Sequence, residues 1–138
     1  MKPTLQAGLE FTHRYRVPEH KTVPFVFQES DLFQGMPPVF ATAFMVGLME
    51  WACMEALREH MEEDEISLGT SICVSHSAAT PPGMEVEVQV KCLEVSGPKT
   101  RWSVVARDER EQIGEGTHER FTIKAEKFKQ IVAKKSGN

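Results

Sequence analysis

One carboxylate lies inside a segment that is otherwise apolar. The sequence from Ala41 to Leu57 reads ATAFMVGLMEWACMEAL, and between Ala43 and Met54 every residue except Glu50 is apolar or glycine. A buried carboxylate without a partner is costly, so it must be neutralised, paired or hydrogen-bonded. Either an arginine or backbone groups satisfy Glu50, or Glu50 faces a cleft and acts as a base or nucleophile. We favour the second interpretation.

Two further residues have side chains that suit chemistry beside such a carboxylate. Thr42 precedes Glu50 by eight residues, which is about 12 Å and about 80° on a helix, so the two could line one groove without touching. Thr42 is equally explained as a helix cap. His76 alternates with Val74 in a strand-like segment and should face the core beside the helix. A histidine within hydrogen-bond distance of Glu50 would orient it; otherwise His76 is a core residue.

The pattern of the rest of the chain predicts the elements that position these residues. We expect strands over 11–17 and 23–27, a loop with one helical turn over 28–39, a helix over 42–60, and strands over 68–79, 84–95, 100–106 and 113–125. The last four strands should follow one another as an antiparallel meander. The basic tail over 126–138 should form a short helix.

These elements predict a single α+β domain over residues 1–138 with the hotdog fold, in which an antiparallel sheet wraps around one long central helix. The helix can be apolar on all sides because the curved sheet embraces it and a second subunit closes the rest. A lone protomer would expose apolar surface and sheet edges. We therefore expect a homodimer, and dimers could pair into a dimer of dimers.

Composition excludes several classes of protein. The formal net charge of -4 argues against nucleic acid as a partner. The cysteines Cys53, Cys73 and Cys92 have no CxxC spacing, which predicts a reducing cytoplasm and no zinc site. The N-terminal sequence lacks the apolar core of a signal peptide, and the apolar segment is too short to span a membrane. No metal or redox cofactor is expected.

Three segments resemble the fluoroacetyl-CoA thioesterases and their relatives among the hotdog-fold acyl-CoA thioesterases. They are PPVFATAFMVGLMEWAC, SLGTSICVSHSAATPPG and IGEGTHER, and the resemblance extends from about residue 8 to residue 128. The resemblance implies that Thr42, Glu50 and His76 form a catalytic trio. It also implies that the backbone N–H of Gly69 points at the thioester oxygen and that Arg120 lies at the substrate. From the sequence alone, Gly69 could simply mark a bulge or a tight packing point.

The same resemblance places Phe33 in a lid over the acyl pocket. The lid of the fluoroacetyl enzymes carries a second aromatic residue where this chain has Met36, and that aromatic is associated with selection for the fluorinated acyl group. Methionine is flexible and has no aromatic quadrupole. The resemblance therefore implies hydrolysis of a short or medium acyl-CoA thioester, without implying specificity for fluoroacetyl-CoA.

Several chemical routes to thioester hydrolysis stay open at this point. Glu50 could attack the carbonyl and form a mixed anhydride, or it could deprotonate a water. Thr42 could hydrogen-bond Glu50 or the substrate, or be the nucleophile itself, while His76 orients Glu50 or water and shuttles protons. A backbone donor such as the Gly69 N–H would contribute ~10²–10³ in rate. No cofactor is needed, because coenzyme A is part of the substrate.

The phosphates of coenzyme A should meet basic residues at the mouth of the pocket. Arg120 is one candidate, and Lys91, Lys99 and Arg101 are weaker ones. Two other functions remain as alternatives. One is an acyl-CoA-binding module without turnover, and the other is a hotdog dehydratase or hydratase acting on hydroxyacyl thioesters.

Overall fold

Five antiparallel strands and one long helix make up most of the chain, in a computed structural model that describes residues 1–137. The elements are β1 (Glu10–Arg16), α1 (Asp31–Gln34), α2 (Thr42–Leu57), β2 (Glu65–His76), β3 (Glu85–Ser96), β4 (Lys99–Arg107), β5 (Gln112–Lys124) and α3 (Ala125–Lys135), with short 3-10 turns at Glu19–Lys21, Val23–Phe25 and Arg58–His60. This α+β architecture, with the sheet against α2, confirms the predicted fold class.

The strands lie in the order β1-β3-β4-β5-β2, which corrects the expected meander. Only β3, β4 and β5 follow one another as neighbours, while β2 pairs with β5 at the edge of the sheet. Residues 77–84 cross from β2 to β3 and carry the prolines Pro81 and Pro82. Prolines cannot donate to a strand ladder, so this connection cannot form a tight hairpin.

The second predicted strand is also wrong. Val23–Phe25 is a 3-10 turn with Pro24 in its first turn, because the fixed φ of proline suits a helical start and its missing N–H weakens a strand. Only an isolated bridge between Thr22 and Phe40 remains of the expected pairing.

One face of α2 forms the core with the inner face of the sheet. The helix contributes Met45, Met49 and Ala52. The strands contribute buried side chains that recur at every second position, as expected for one face of a strand: Val86, Val88, Val90, Trp102 and Val104. This apolar contact fixes the rotation of α2 about its axis, and with it the direction in which each polar residue of the helix points.

The opposite face of α2 is largely uncovered within residues 1–137, apart from the stacking of Trp51 on His13 of β1. Ala43, Gly47, Trp51 and Met54 are exposed there, and Trp51 and Met54 keep 43% and 48% of their surfaces accessible. Among the same residues the outer edge of β2 has no partner strand. An apolar helix face and an open strand edge are the kinds of surface that another chain covers.

Residues 23–39, here called the lid segment, form a loop whose two ends meet at the start of α2. The Val23 N–H donates to the Val39 carbonyl at 3.0 Å, and the Ala41 N–H donates to the Lys21 carbonyl at 3.1 Å. The helical turn expected in this loop is α1, which the side chain of Ser30 caps.

The apolar residues of the lid segment are largely open to solvent. Phe33 packs on Phe27 with ring centroids 5.6 Å apart, while Leu32 is 81% and Met36 is 49% exposed.

No helix within residues 1–137 is long and apolar enough to cross a membrane.

Candidate active site

Thr42 and His76 are in direct contact. The Thr42 Oγ1 lies 2.7 Å from the His76 Nδ1, which joins the first residue of α2 to the last residue of β2. Ala41, not Thr42, is the N-cap of the helix, and no side chain caps it. The interpretation of Thr42 as a cap is therefore wrong: its hydroxyl is engaged with an imidazole instead.

The imidazole of His76 is suited to act as a neutral base. Burial lowers the pKa of His76, and the nearby backbone of Ala78 partly offsets this effect. A neutral ring can accept the Thr42 hydroxyl proton at Nδ1. The other nitrogen, Nε2, is buried and has no hydrogen-bond partner among the described residues, so an imidazole in this tautomer has a donor to offer to a further group.

Glu50 is paired with an arginine and is also partly exposed to solvent. Its Oε2 accepts a hydrogen bond from the Arg120 Nη1 at 3.1 Å, and its side chain remains 38% exposed. The arginine partner confirms the first interpretation offered by the sequence, and the exposure leaves the carboxylate accessible, as the second interpretation requires. Because the guanidinium engages a single carboxylate oxygen, Oε1 is left available for a ligand.

Arg120 is almost completely enclosed and its donors are used within the chain. Its side chain is 3% exposed. Nε donates to the Ser67 Oγ at 3.0 Å and Nη2 to the Ser67 carbonyl at 2.9 Å, while Nη1 lies 3.0 Å from the His118 Nε2. Of the five N–H groups of an arginine, four have partners here. The geometry makes Arg120 an anchor for Glu50 and leaves no fork free for a phosphate.

His118 belongs to this group of residues and was not singled out from the sequence. It is 2% exposed, and its Nδ1 lies 2.8 Å from the Ser71 carbonyl. Burial lowers its pKa, and the charge of Arg120 lowers it further, against a raising contribution from the Ser71 bond. Its position two residues before Arg120 on one strand was the available signal, since both side chains face the same side.

Gly69 lies directly beside the Glu50 carboxylate. A Cβ at this position would lie 2.5 Å from the Glu50 Oε2 and 3.2 Å from the His118 Cε1. Gly69 is paired with Arg120 across the ladder, and the register shifts between Gly69 and Ser71. Both explanations given by the sequence, a bulge and a tight packing point, hold here, and the backbone of Gly69 can approach a ligand at Glu50 because no side chain intervenes.

The predicted site residues thus form two separate clusters. The first cluster is Thr42 with His76, and the second is Glu50 with Gly69, Arg120 and His118. Along α2, Thr42 and Glu50 are about 12 Å apart, and along β2, Gly69 and His76 are about 23 Å apart. The hydrogen bond expected between Glu50 and His76 is not made within one protomer, because Glu50 lies in the middle of α2 beside Gly69, whereas His76 ends β2 beside Thr42.

The weaker candidates for phosphate contacts lie on the far side of the sheet. Lys91, Lys99 and Arg101 alternate with inward-facing buried residues on β3 and β4 and point outward. Arg101 pairs there with Glu94 at 3.5 Å. Across residues 1–137, no group of three or more histidine, cysteine, aspartate or glutamate side chains is arranged to hold a metal ion.

Comparison with known proteins gives one consistent family. Residues 17–126 match the family described as fluoroacetyl-CoA-specific thioesterase. The fluoroacetyl-CoA thioesterase of Streptantibioticus cattleyicolor is 50% identical over 136 residues, which is 99% of this chain and 98% of that protein.

Solved structures agree with the sequence comparison. A structure of a fluoroacetyl-CoA thioesterase, in a threonine-to-alanine variant with fluoroacetate, superposes with a TM-score of 0.93 at 50% identity and covers 95% of this chain and 98% of that one. A threonine-to-serine variant of the same enzyme with acetyl-CoA gives the same TM-score, identity and coverage. A thioesterase superfamily member from Thermus thermophilus has a TM-score of 0.87 at 26% identity, with 98% of this chain and 96% of that chain covered.

Proposed function

The chain belongs to the fluoroacetyl-CoA-specific thioesterase family, and on that premise we propose that it hydrolyses short acyl-CoA thioesters at a site built from Thr42, His76, Glu50 and Gly69. The observation that carries this proposal is the pair of clusters, which together supply a hydroxyl–imidazole pair, an anchored carboxylate and an unobstructed backbone. These are the groups that thioester hydrolysis needs to activate an oxygen nucleophile and to stabilise an oxyanion.

We propose further that the working site forms between two copies of the chain. If two antiparallel α2 helices crossed near residue 46, residue 42 of one protomer would lie beside residue 50 of the other. If two antiparallel β2 edges paired about a point between residues 72 and 73, residue 69 of one protomer would lie beside residue 76 of the other. One two-fold axis would thus bring the first cluster of one protomer to the second cluster of the other, which is the symmetry that most homodimers have.

Two surfaces described above support this arrangement. The uncovered face of α2 carries Gly47 close to the proposed crossing point, and nothing within the protomer lies within 4 Å of a Cβ built there. The exposed β2 edge runs beside it with Ile72 at its centre, 37% accessible. A glycine at a helix contact allows close approach, and an unpaired edge offers backbone groups to a second strand. Whether such dimers pair further stays a prediction.

In this arrangement each residue has a distinct part in the reaction. The neutral His76 accepts a proton from Thr42 or from a water, and its unpartnered Nε2 lies toward the site of the second subunit. The carboxylate of Glu50, held by Arg120, either attacks the thioester carbonyl or deprotonates the attacking water. The backbone N–H of Gly69 donates to the developing oxyanion, and the thiolate of coenzyme A leaves without a strong general acid.

In this proposal the lid segment lines the acyl pocket and limits which acyl groups fit. Relatives are named for fluoroacetyl-CoA and have been solved with acetyl-CoA, which supports a short acyl chain. Phe33 offers one aromatic ring to that chain, and Met36 offers a thioether that adapts to several shapes. We propose tolerance for several short acyl groups over selection of the fluorinated one. The unpaired cysteines support a reducing cytoplasm as its location.

Release of free thiol from a panel of acyl-CoAs tests the function directly. Acetyl, fluoroacetyl, medium-chain and aryl thioesters would be compared for wild type, Glu50→Gln and Glu55→Gln. The last variant is a matched control, because Glu55 lies on the same helix but pairs with Arg58. Release that requires Glu50 and not Glu55 supports the proposal. Binding without release would favour the acyl-CoA-binding module, and water loss from a 3-hydroxyacyl-CoA would favour the dehydratase.

Mixing two inactive variants tests whether the site is shared. Thr42→Ala and Glu50→Gln each damage a different cluster. In random mixing, half of the dimers are heterodimers with one of two sites intact, so about a quarter of wild-type activity should return. No recovery after subunit exchange, which mass spectrometry of the mixed dimers verifies, would place the whole site in one protomer.

A further inference from the structure

His118 occupies a position in the second cluster that the chemistry proposed above does not use. Its ring is buried against β2, and Gly69 lies over its Cε1 edge. With a relative exposure of 2% it has no access to a substrate. Its role must therefore be exerted through the groups that it contacts.

The contacts of His118 fix the position of its proton. A backbone carbonyl is only an acceptor, so the contact between Nδ1 and the Ser71 oxygen requires a proton on Nδ1. The opposite nitrogen faces the Nη1 of Arg120, which can only donate. The Nε2 must then be the unprotonated acceptor, and the ring is a neutral Nδ1–H tautomer. A second ring proton would oppose both the charge and the N–H of the guanidinium.

This tautomer also determines where Arg120 points. The Nη1 of Arg120 donates to two acceptors, the His118 Nε2 and the Glu50 Oε2. The rest of the guanidinium is held by the side chain and carbonyl of Ser67. Without an acceptor at His118, the Nη1 would keep only its bond to Glu50, and the guanidinium would be restrained by Ser67 alone, so it and the carboxylate could shift together.

We propose that His118 is a positioning residue that acts through Arg120 to hold the carboxylate of Glu50 beside the backbone of Gly69. This inference rests on the proposed function, in which Glu50 is the reacting carboxylate. In this proposal His118 affects the reaction only through the position of Glu50. Because Gly69 lies so close to Glu50, a small displacement of the carboxylate would change its distance to a bound thioester.

Two substitutions separate positioning from a purely structural role. In His118→Gln the amide oxygen can take the place of Nε2 and accept from Arg120, while the bond to Ser71 is lost. In His118→Asn the amide nitrogen can take the place of Nδ1 and donate to Ser71, while the bond to Arg120 is lost. Each variant removes one hydrogen bond from the same buried site, so similar losses in melting temperature are expected.

Their kinetics should differ. We expect His118→Asn to lower kcat about 10²-fold, the cost of a displacement near 1 Å, with little change in KM. His118→Gln should stay within about tenfold of wild type by the same reasoning. A folded Gln variant that loses as much as the Asn variant, or activity losses that simply follow melting temperature, would overturn the proposal.

A spectroscopic measurement decides the question without turnover. Imidazole ¹⁵N–¹H correlation spectra of the wild-type protein, assigned with His118→Gln, should show a neutral Nδ1–H tautomer from about pH 6 to 8. An Nε2–H tautomer or an imidazolium in this range would refute the assignment. Absence of thiol release by wild type, or full activity of Glu50→Gln, would instead refute the proposed function, so the two failures are distinguishable.

Discussion

Among single side chains, the pairing of Glu50 with Arg120 has the greatest chemical consequence. A hydrogen bond from a guanidinium holds a partly buried carboxylate in one position. A fixed position is useful to a group that must attack a carbonyl or orient a water. The enclosure of Arg120 matters equally, because the 3% exposure of its side chain keeps solvent from competing for its donors.

Enlarging Gly69 should displace the carboxylate of Glu50. In Gly69→Ala the new Cβ would lie 2.5 Å from the Glu50 Oε2, so the carboxylate must move away from residue 69, which disturbs its hydrogen bond with Arg120. We expect kcat for thiol release to fall by about 10²-fold, with KM less affected. A melting temperature close to that of wild type would show that the loss comes from the displaced carboxylate and not from unfolding. Wild-type turnover in Gly69→Ala would show that Glu50 does not need its observed position.

The pH dependence of catalysis should reflect His76. Its pKa is lowered by burial, so the ring is neutral at and above its ordinary value near 6.5. A neutral base is lost as the pH falls through the lowered pKa; kcat/KM should therefore be level near pH 7 and decline on the acid side, below about 6.5. Comparing kcat/KM from pH 5 to 8 between wild type and His118→Gln would show whether the decline on the acid side comes from His76 or from His118. A decline with rising pH would contradict this assignment.

Sequence reasoning singled out most residues of the candidate site but not their contacts. Glu50 stood out because it interrupts an apolar helix, His76 because it alternates with core residues on a strand, and Thr42 because it opens that helix; the resemblance then implied a shared role. That helix is apolar on nearly every side, so no periodicity told which face Glu50 occupies. His118 was missed because an inward-facing histidine between core residues has the same pattern as a histidine with only a packing role.

At the level of elements, the predicted strands and the long helix are confirmed with shifts of a few residues at their ends. The exceptions have local causes. Proline turned the expected second strand into a 3-10 turn. The pairing of β2 with β5 was not predictable, because alternation identifies a strand without identifying its neighbour. Residues 28–39 of the lid segment were correctly predicted to form a loop with one helical turn.

Changing the lid should alter the choice of acyl group. Met36 is 49% exposed on the lid segment, and a phenylalanine there would add a rigid ring beside Phe33. We expect Met36→Phe to change the ratio of kcat/KM between fluoroacetyl-CoA and acetyl-CoA by about tenfold, the usual reach of one apolar contact. Competition between the two substrates measures this ratio. Leu32→Phe is a control on the same loop, and an unchanged ratio in Met36→Phe would remove Met36 from the acyl pocket.

At the level of the whole molecule, the protomer exposes an apolar helix face and an unpaired strand edge. The uncovered face of α2 and the outer edge of β2 both lack a partner within residues 1–137. Such apolar surface is normally covered in solution. The sequence predicted a dimer from the apolar helix and the open sheet edges. The proposal that two protomers share the site rests on the contacts of Thr42 with His76 and of Glu50 with Gly69, which the sequence does not show.

A bulky residue at position 47 should separate the subunits without unfolding them. In Gly47→Leu the new Cβ meets no atom within 4 Å among residues 1–137 outside the helix's own backbone, and leucine favours a helix over glycine by about 0.8 kcal/mol. We expect far-UV circular dichroism to be retained, the mass by sedimentation at micromolar concentration to shift toward the monomer, and thiol release to fall in parallel. A stable dimer with full activity would disprove the proposed crossing point.

The closure of the lid segment at its base has a consequence for how the acyl-group preference of this protein could change. Hydrogen bonds from Val23 to Val39 and from Ala41 to Lys21 fasten both ends of the loop before α2 begins. Residues 24–38 could therefore be replaced, for example by the corresponding loop of a relative with another acyl preference, without moving Thr42. The same replacement could occur in evolution. The lid segment would then change while Thr42, Glu50 and His76 stayed in place.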